Sequence, residues 1–130
     1  MANTVTKTTL IDGPRHVVVH VYLASDGLAG ELTDEVLIDV SALTPSANDL
    51  TLECVWYSLN GFSGVLEWDA TTDVPFLVLQ DSDCCFMDFR GIGGIPNNAG
   101  AGKTGDLTLT TTGFTAAGDA GTITLKCKKN

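Results

Sequence analysis

Apolar and polar residues alternate with a period of two along most of this chain, and that pattern leaves few folds open. Between positions 16 and 23, Val17, Val19, Val21 and Leu23 share one side while His16, Val18, His20 and Tyr22 share the other. Successive strand side chains point to opposite faces, so this segment reads as a β-strand with one fully apolar face. Similar patterns predict strands over 5–11, 36–40, 48–59, 64–69, 74–80, 83–90, 107–111 and 122–127. In the longest, Leu50, Leu52, Cys54 and Trp56 fall on one side, and Thr51, Glu53, Val55, Tyr57 and Leu59 on the other. Asn60-Gly61 tolerates the positive φ of a tight turn, which predicts a hairpin between this strand and the next. Pro75 stands near a strand start, where its missing amide donor matters little. No window carries a helical repeat, and 28–35 holds at most one turn of helix. Many short strands with Gly- and Pro-rich turns imply an all-β fold. We expect an antiparallel β-sandwich of eight or nine strands, jelly-roll-like, with an immunoglobulin-like sandwich as the alternative.

A chain of 130 residues with 44% hydrophobic residues can bury one real core. A single domain over 1–130 is therefore expected, with an N-terminal strand or arm at 1–12 and a long Gly-rich loop at 91–105. The net charge of −9 repels phosphate backbones and anionic lipid, which argues against nucleic-acid and membrane partners. No apolar run approaches the ~18 residues that span a bilayer. The opening residues lack the basic-then-apolar pattern of a secretion signal, so synthesis and folding in a reducing cytoplasm are expected. There, four cysteines do not imply a disulfide framework. Cys54 and Cys127 lie on apolar strand faces as small buried hydrophobes. Cys84 and Cys85 are adjacent, point to opposite faces, and do not join in one metal site.

Three patterns touch on chemistry, and each is better explained without it. Gly102-Lys103-Thr104 resembles the end of a phosphate-binding loop, but the first glycine of that motif would fall on Asn97. Strand sequence follows where a helix should begin, so the motif lacks its context. His16 and His20 share a strand face and need a third ligand or a carboxylate to become a metal or catalytic site. A pH-sensitive contact between subunits is a further use for them. Asp81-Ser-Asp83 and the 69–73 turn offer oxygen ligands for calcium, yet neither has the spacing of a calcium loop. No Gly-x-Ser-x-Gly elbow or Cys-His pairing is present. No catalytic residues, no metal and no cofactor are therefore expected, and an enzyme is the last of the readings.

Several segments together resemble small virion structural proteins of tailed bacteriophages. They are Met1-Ala-Asn-Thr-Val-Thr-Lys-Thr, Ile11-Asp-Gly-Pro-Arg15, Leu59-Asn-Gly-Phe62, Trp68-Asp-Ala-Thr-Thr72 and Gly91-Ile-Gly-Gly-Ile-Pro-Asn-Asn-Ala-Gly100. Within that group the chain looks most like a capsid cement (decoration) protein. The resemblance implies a non-enzymatic role on the capsid exterior, binding between major capsid protein subunits and stabilising the head. It also implies self-association as a homodimer or homotrimer. Neck, tail and fibre-base proteins share size and composition and form the nearest alternative. From a different class comes a carbohydrate-binding β-sandwich module with Trp56, Tyr57, Trp68 or Phe62 as a stacking surface. Strand parity places Trp56 and Trp68 with leucines, which predicts core positions for both.

The Gly-rich stretch 91–105 contains six glycines, each costing roughly 0.5–1 kcal/mol more ordering entropy than alanine. A structureless loop of this length is usually functional or disordered. It is expected to be a mobile connection that becomes ordered against a neighbouring subunit, with Phe89, Arg90, Ile92, Ile95 and Lys103 making contact.

Overall fold

Residues 3–81 and 83–130 are described by the computed structural model, without the side chains of Asp83 and Cys84. The alternating segments become ten strands: β1 (Thr4–Asp12), β2 (His16–Ala24), β3 (Glu35–Ile38), β4 (Leu50–Asn60), β5 (Ser63–Trp68), β6 (Val74–Leu79), β7 (Asp83–Asp88), β8 (Ile95–Pro96), β9 (Leu107–Thr112) and β10 (Ala120–Lys129). Short 3-10 turns at Val40–Ala42 and Arg90–Ile92 are the only helical elements among the described residues.

One sheet runs β1-β2-β10-β4-β7, with β8 also on β4, and the other runs β3-β9-β5-β6. All pairings are antiparallel, and they nest: β2 with β10, β3 with β9, β4 with β7, β5 with β6. The chain is thus one long ribbon, doubled back at β5–β6 and rolled so that its rungs alternate between two sheets. That is a jelly roll of eight strands, to which β1 and β8 are additions.

Between the sheets lie Val17, Val19, Val21 and Leu23 of β2, Ile123, Leu125 and Cys127 of β10, and Leu66 and Trp68 of β5. Phe62 and Phe114 meet there at 4.5 Å and 60°, and Trp68 stacks on Phe76 at 4.1 Å and 8°. Each fully buried large side chain contributes about 1.5–3 kcal/mol of transfer free energy. The Trp68 indole nitrogen finds no hydrogen-bond partner among the described residues. Cys54 and Cys127 are free and buried.

Long-range pairing overrides the sequence pattern in three places. In β4 the register steps from Lys126 opposite Cys54 to Cys127 opposite Leu52, leaving Glu53 as an extra residue. This β-bulge reverses the side-chain phase. Leu50 and Leu52 therefore share the inner face with Val55, Tyr57 and Leu59, whereas Trp56 turns outward and is 42% exposed. The expected core position of Trp56 is thereby overturned, while Trp68 is 0% exposed. The expected hairpin at Asn60-Gly61 is instead an arch. β4 and β5 belong to different sheets, because Phe62 plunges into the core and carries the chain across. Gly61 makes the bend at φ +87°, and its amide donates to Asp81 Oδ1 at 2.8 Å. In 28–35 no helix forms. Glu31 accepts from the amides of Gly113 and Phe114 and from Thr111 Oγ1, stitching this segment to the end of β9.

Candidate binding surface

The outer face of the larger sheet gathers the aromatic side chains that the core leaves out. Across four strands, Phe86 pairs with Trp56, Trp56 with Thr124, and Thr124 with His20. A parallel row one step along holds Ser58, Thr122 and Tyr22. Tyr22, Trp56 and Phe86 are 43%, 42% and 48% exposed, and no other aromatic residue among those described is comparably open. Trp56 and Phe86 stack against each other in near-parallel planes, at 4.9 Å between centroids and 19° between planes. Beside them is an open hollow of about 370 Å³, lined also by Ser58, Cys85, Thr122 and Thr124. His20 Nδ1 lies 2.8 Å from Thr124 Oγ1, which fixes both groups on the face.

Neither of these rows contains an Asp, Glu, Lys or Arg among its described side chains. The charges begin in the neighbouring row. There Arg90 grips Asp88 through Nε at 2.9 Å and Nη2 at 2.8 Å, holding the Asp88 carboxyl well below the usual carboxylate range. Cys54 Sγ lies 3.6 Å from Asp88 Oδ1, and burial pushes its thiol pKa up. His16 Nε2 lies 3.1 Å from Glu53 Oε1 without hydrogen-bond alignment, and Lys126 Nζ is 3.9 Å from the same oxygen. His16 and His20 thus share a face, as their spacing predicts, but have different partners.

The five side chains expected to make contacts are distributed unevenly. Ile92 projects from its 3-10 turn and is 78% exposed. Arg90 is exposed but committed to Asp88. Phe89 and Ile95 are half-buried against the core, Ile95 as part of β8 opposite Leu52. Lys103 is drawn away to Asp49. Instead of a free connection, 91–105 is fastened at several points. The Thr71 amide donates to Ala101 O at 3.1 Å, the Thr104 amide to Asp69 O at 3.2 Å, and Thr104 Oγ1 to Asp69 Oδ2 at 2.7 Å. At Gly94, φ is +86° and an added Cβ would sit 2.5 Å from Thr51 Cγ2 and 2.9 Å from Leu52 O. Glycine is required there for the segment to lie flat on β4.

β1 is the other unusual surface. It pairs only with β2, all but one of its nine residues are exposed, and Leu10 and Ile11 are 56% and 55% open. Its ends are pinned: Asn3 Nδ2 donates to Gly30 O, and Asp12 accepts from Thr44 N and Lys129 Nζ. Between those pins one edge of the strand has no backbone partner among the described strands.

Of the acidic turns, Asp81-Ser-Asp83 lies partly outside the described residues, as does the Met1-Ala2 opening. Asp73 is brought together with Asp34 and Glu67, their carboxylate oxygens within 4.8 Å of one another. Thr110 Oγ1 bonds Glu67 Oε1 at 2.6 Å. Such a trio offers the hard oxygen donors that calcium or magnesium prefers. Nothing beyond the acids themselves points to an ion.

Strand parity could not find the aromatic face, because the Glu53 bulge hides Trp56 among leucines. The available signals were Tyr22 and His20, on the mixed face of their strand, and Phe86, opposite in parity to Cys85 and Met87. No family model matches the chain, and no curated protein is significantly similar to it. Among solved structures, a cupin superfamily protein from Desulfitobacterium hafniense DCB-2 is similar at 10% identity and a TM-score of 0.37, over 99% of this chain and 80% of that one.

Proposed function

We propose that the protein is a non-enzymatic virion structural protein, a capsid cement (decoration) protein that binds between major capsid protein subunits and stabilises a phage head. The observation that carries this reading is β1, a nine-residue strand appended to a complete jelly roll. A long exposed edge is a template for another chain, which is why monomeric proteins shorten, cover or charge such edges. Here its only charges are Lys7, paired with Glu35 at 2.9 Å, and the terminal Asp12, paired with Lys129. Strand addition supplies main-chain hydrogen bonds for affinity, and Leu10 and Ile11 add apolar anchors. The segments that resemble phage virion proteins overlap this strand, from Thr4 to Thr8 and again at Ile11-Asp12. The net charge of −9 suits a protein that must stay soluble and off the genome before assembly.

The test is quantitative mass spectrometry of purified particles, paired with a rebinding assay. Copies by the hundred support a cement role, about a dozen or fewer move the protein to the neck or tail, and absence from particles overturns both. Removal of residues 1–12 is expected to leave the jelly roll folded by circular dichroism and to abolish rebinding to stripped capsids. Undiminished rebinding of the shortened chain would refute the role of β1.

A further inference from the structure

We infer that two copies of this chain dimerise through the outer face of the larger sheet, about a twofold axis that lies between β4 and β10 and runs along the strands. The placement of charge selects a second copy as the occupant. The chain carries −9, so two copies repel each other wherever their acids are brought together. The smaller sheet gathers Asp34, Glu67 and Asp73. The segments 24–34, 60–63, 80–83 and 112–120 meet at one end of the sandwich, through bonds such as Gly61 to Asp81 and Gly113 to Glu31. They hold six acids, Asp26, Glu31, Asp34, Asp81, Asp83 and Asp119, and no Lys or Arg. The outer face of the larger sheet differs from both. Its two central rows carry no charge among their described side chains, and the rows beyond set Arg90, Lys126 and Lys128 against Glu53 and Asp88. Here two acidic chains meet without opposing acid to acid.

The relief of this face is complementary to itself. Its β4–β7 half is tall, with Trp56 and Phe86 stacked on each other, and its β10 strip is low, with Thr122 and Thr124. The twofold axis lays β4 of each copy over β10 of the other. Trp56 then meets Thr124, Phe86 meets His20, and Lys126 meets Glu53. Each contact occurs twice, as an isologous interface requires. Tyr22, 43% exposed on β2, is carried over β7 of the second copy, where the open hollow of about 370 Å³ receives it. Aromatic side chains at an uncharged centre, with charges at the margin, match the composition of protein–protein interfaces.

Four strands of each copy overlap in this arrangement: β2, β10, β4 and β7. At about 4.8 Å between strands, and about nine residues of 3.4 Å along them, they cover roughly 600 Å² before side-chain relief is added. A standard interface buries about 800 Å² per partner, so the face is large enough for a reversible dimer. β1 overhangs on each side and its free edge stays open. The dimer therefore stands apart from the capsid reading and does not use the edge on which that reading rests.

Sedimentation equilibrium of the full chain over a wide concentration range tests the inference. The mass is expected to rise from 13.6 kDa towards twice that value. Trp68 is buried, so falling access of quencher to tryptophan over the same range reports the covering of Trp56. Salt screens the repulsion between the two acidic copies and is expected to tighten the dimer. Trp56→Ala and Tyr22→Ala are each expected to raise the dissociation constant about tenfold or more, which is about 1.4 kcal/mol. Ile92→Ser, on a different part of the surface, is expected to dimerise normally. Should Trp56→Ala fail to fold by circular dichroism, Thr122→Lys places a bulky charge in the hollow and is expected to leave the chain monomeric. A chain that stays monomeric, a dimer that survives these substitutions, or one that salt dissociates would overturn the inference. So would a monomeric chain whose rebinding to stripped capsids is abolished by Trp56→Ala, since that would give the face to the capsid protein. Dimerisation of a chain absent from particles would uphold this inference while the capsid reading falls.

Discussion

Individual carboxylates carry most of the protein's response to acid. The Arg90 hydrogen bonds hold Asp88 below its ordinary pKa, the Lys129 bond does the same for Asp12, and the amides of Ala29 and Leu28 do so for Asp26. At Glu31, burial pushes upward, but bonds from Thr111, Phe114 and Gly113 together outweigh it. A carboxyl with a lowered folded pKa contributes stability above its unfolded value, and that contribution is lost as pH falls through the folded one. Asp106 has the opposite sign, because burial raises its pKa and protonation favours its folded form. Four groups against one predict a urea midpoint that is flat near neutrality and drops below about pH 4. Urea melts at stepped pH check this, and Asp88→Asn should remove part of the slope. Two of these pairings are local, Asp88 with Arg90 and Asp26 with the amides of Leu28 and Ala29 just beyond it. Those of Asp12 with Lys129 and of Glu31 with the end of β9 join residues brought together only by the roll of the ribbon.

At the level of elements, periodicity located nearly every strand, since alternation is a local property that folding preserves. What it could not reveal was partnership. Asn60-Gly61 has the same turn chemistry in a hairpin and in an arch, and the burial of Phe62 against Phe114 decides between them from 52 residues away. The Glu53 bulge is equally silent, because an extra residue leaves no mark on composition, and with it went the position of Trp56. The bulge is testable. Deleting Glu53 would join Leu52 to Cys54 and remove the bulge, so that Leu50, Leu52, Val55, Tyr57 and Leu59 alternate without interruption and all keep the inner face. The loss is the Phe89 amide bond to Glu53 O, about 0.5–1.5 kcal/mol. The expected outcome is a chain still folded by circular dichroism with a modestly lower urea midpoint. An alanine inserted after Val55 instead reverses the phase of Tyr57 and Leu59, and each buried side chain turned to solvent costs about 1.5–3 kcal/mol, so this variant is expected to be far less stable. An insertion variant as stable as the deletion variant would show that the side-chain phase is dispensable.

On the scale of the molecule, β1 and the Trp56–Phe86 face both belong to the larger sheet, so one sheet presents both an open edge and an open surface. The smaller sheet turns most of its side chains into the core or into local hydrogen bonds such as Thr110 to Glu67. The nested pairing also bears on how such a molecule is made. Val17 faces Cys127 and Val21 faces Ile123, so β2 stays without its central neighbour until the C-terminal strand exists. Long-range pairing of this kind slows folding, and refolding from urea is expected in the millisecond-to-second range, checked by stopped-flow tryptophan fluorescence. During synthesis the delay is far longer. At 5–20 residues per second, the ribosome needs roughly 5–20 s to travel from Val17 to Cys127. For that interval a valine-rich strand, with β1 on one side, waits with its other edge unpaired on every nascent chain of a crowded polysome. Mutual repulsion among acidic nascent chains is then a safeguard against their premature association, acting before any of them has a fold.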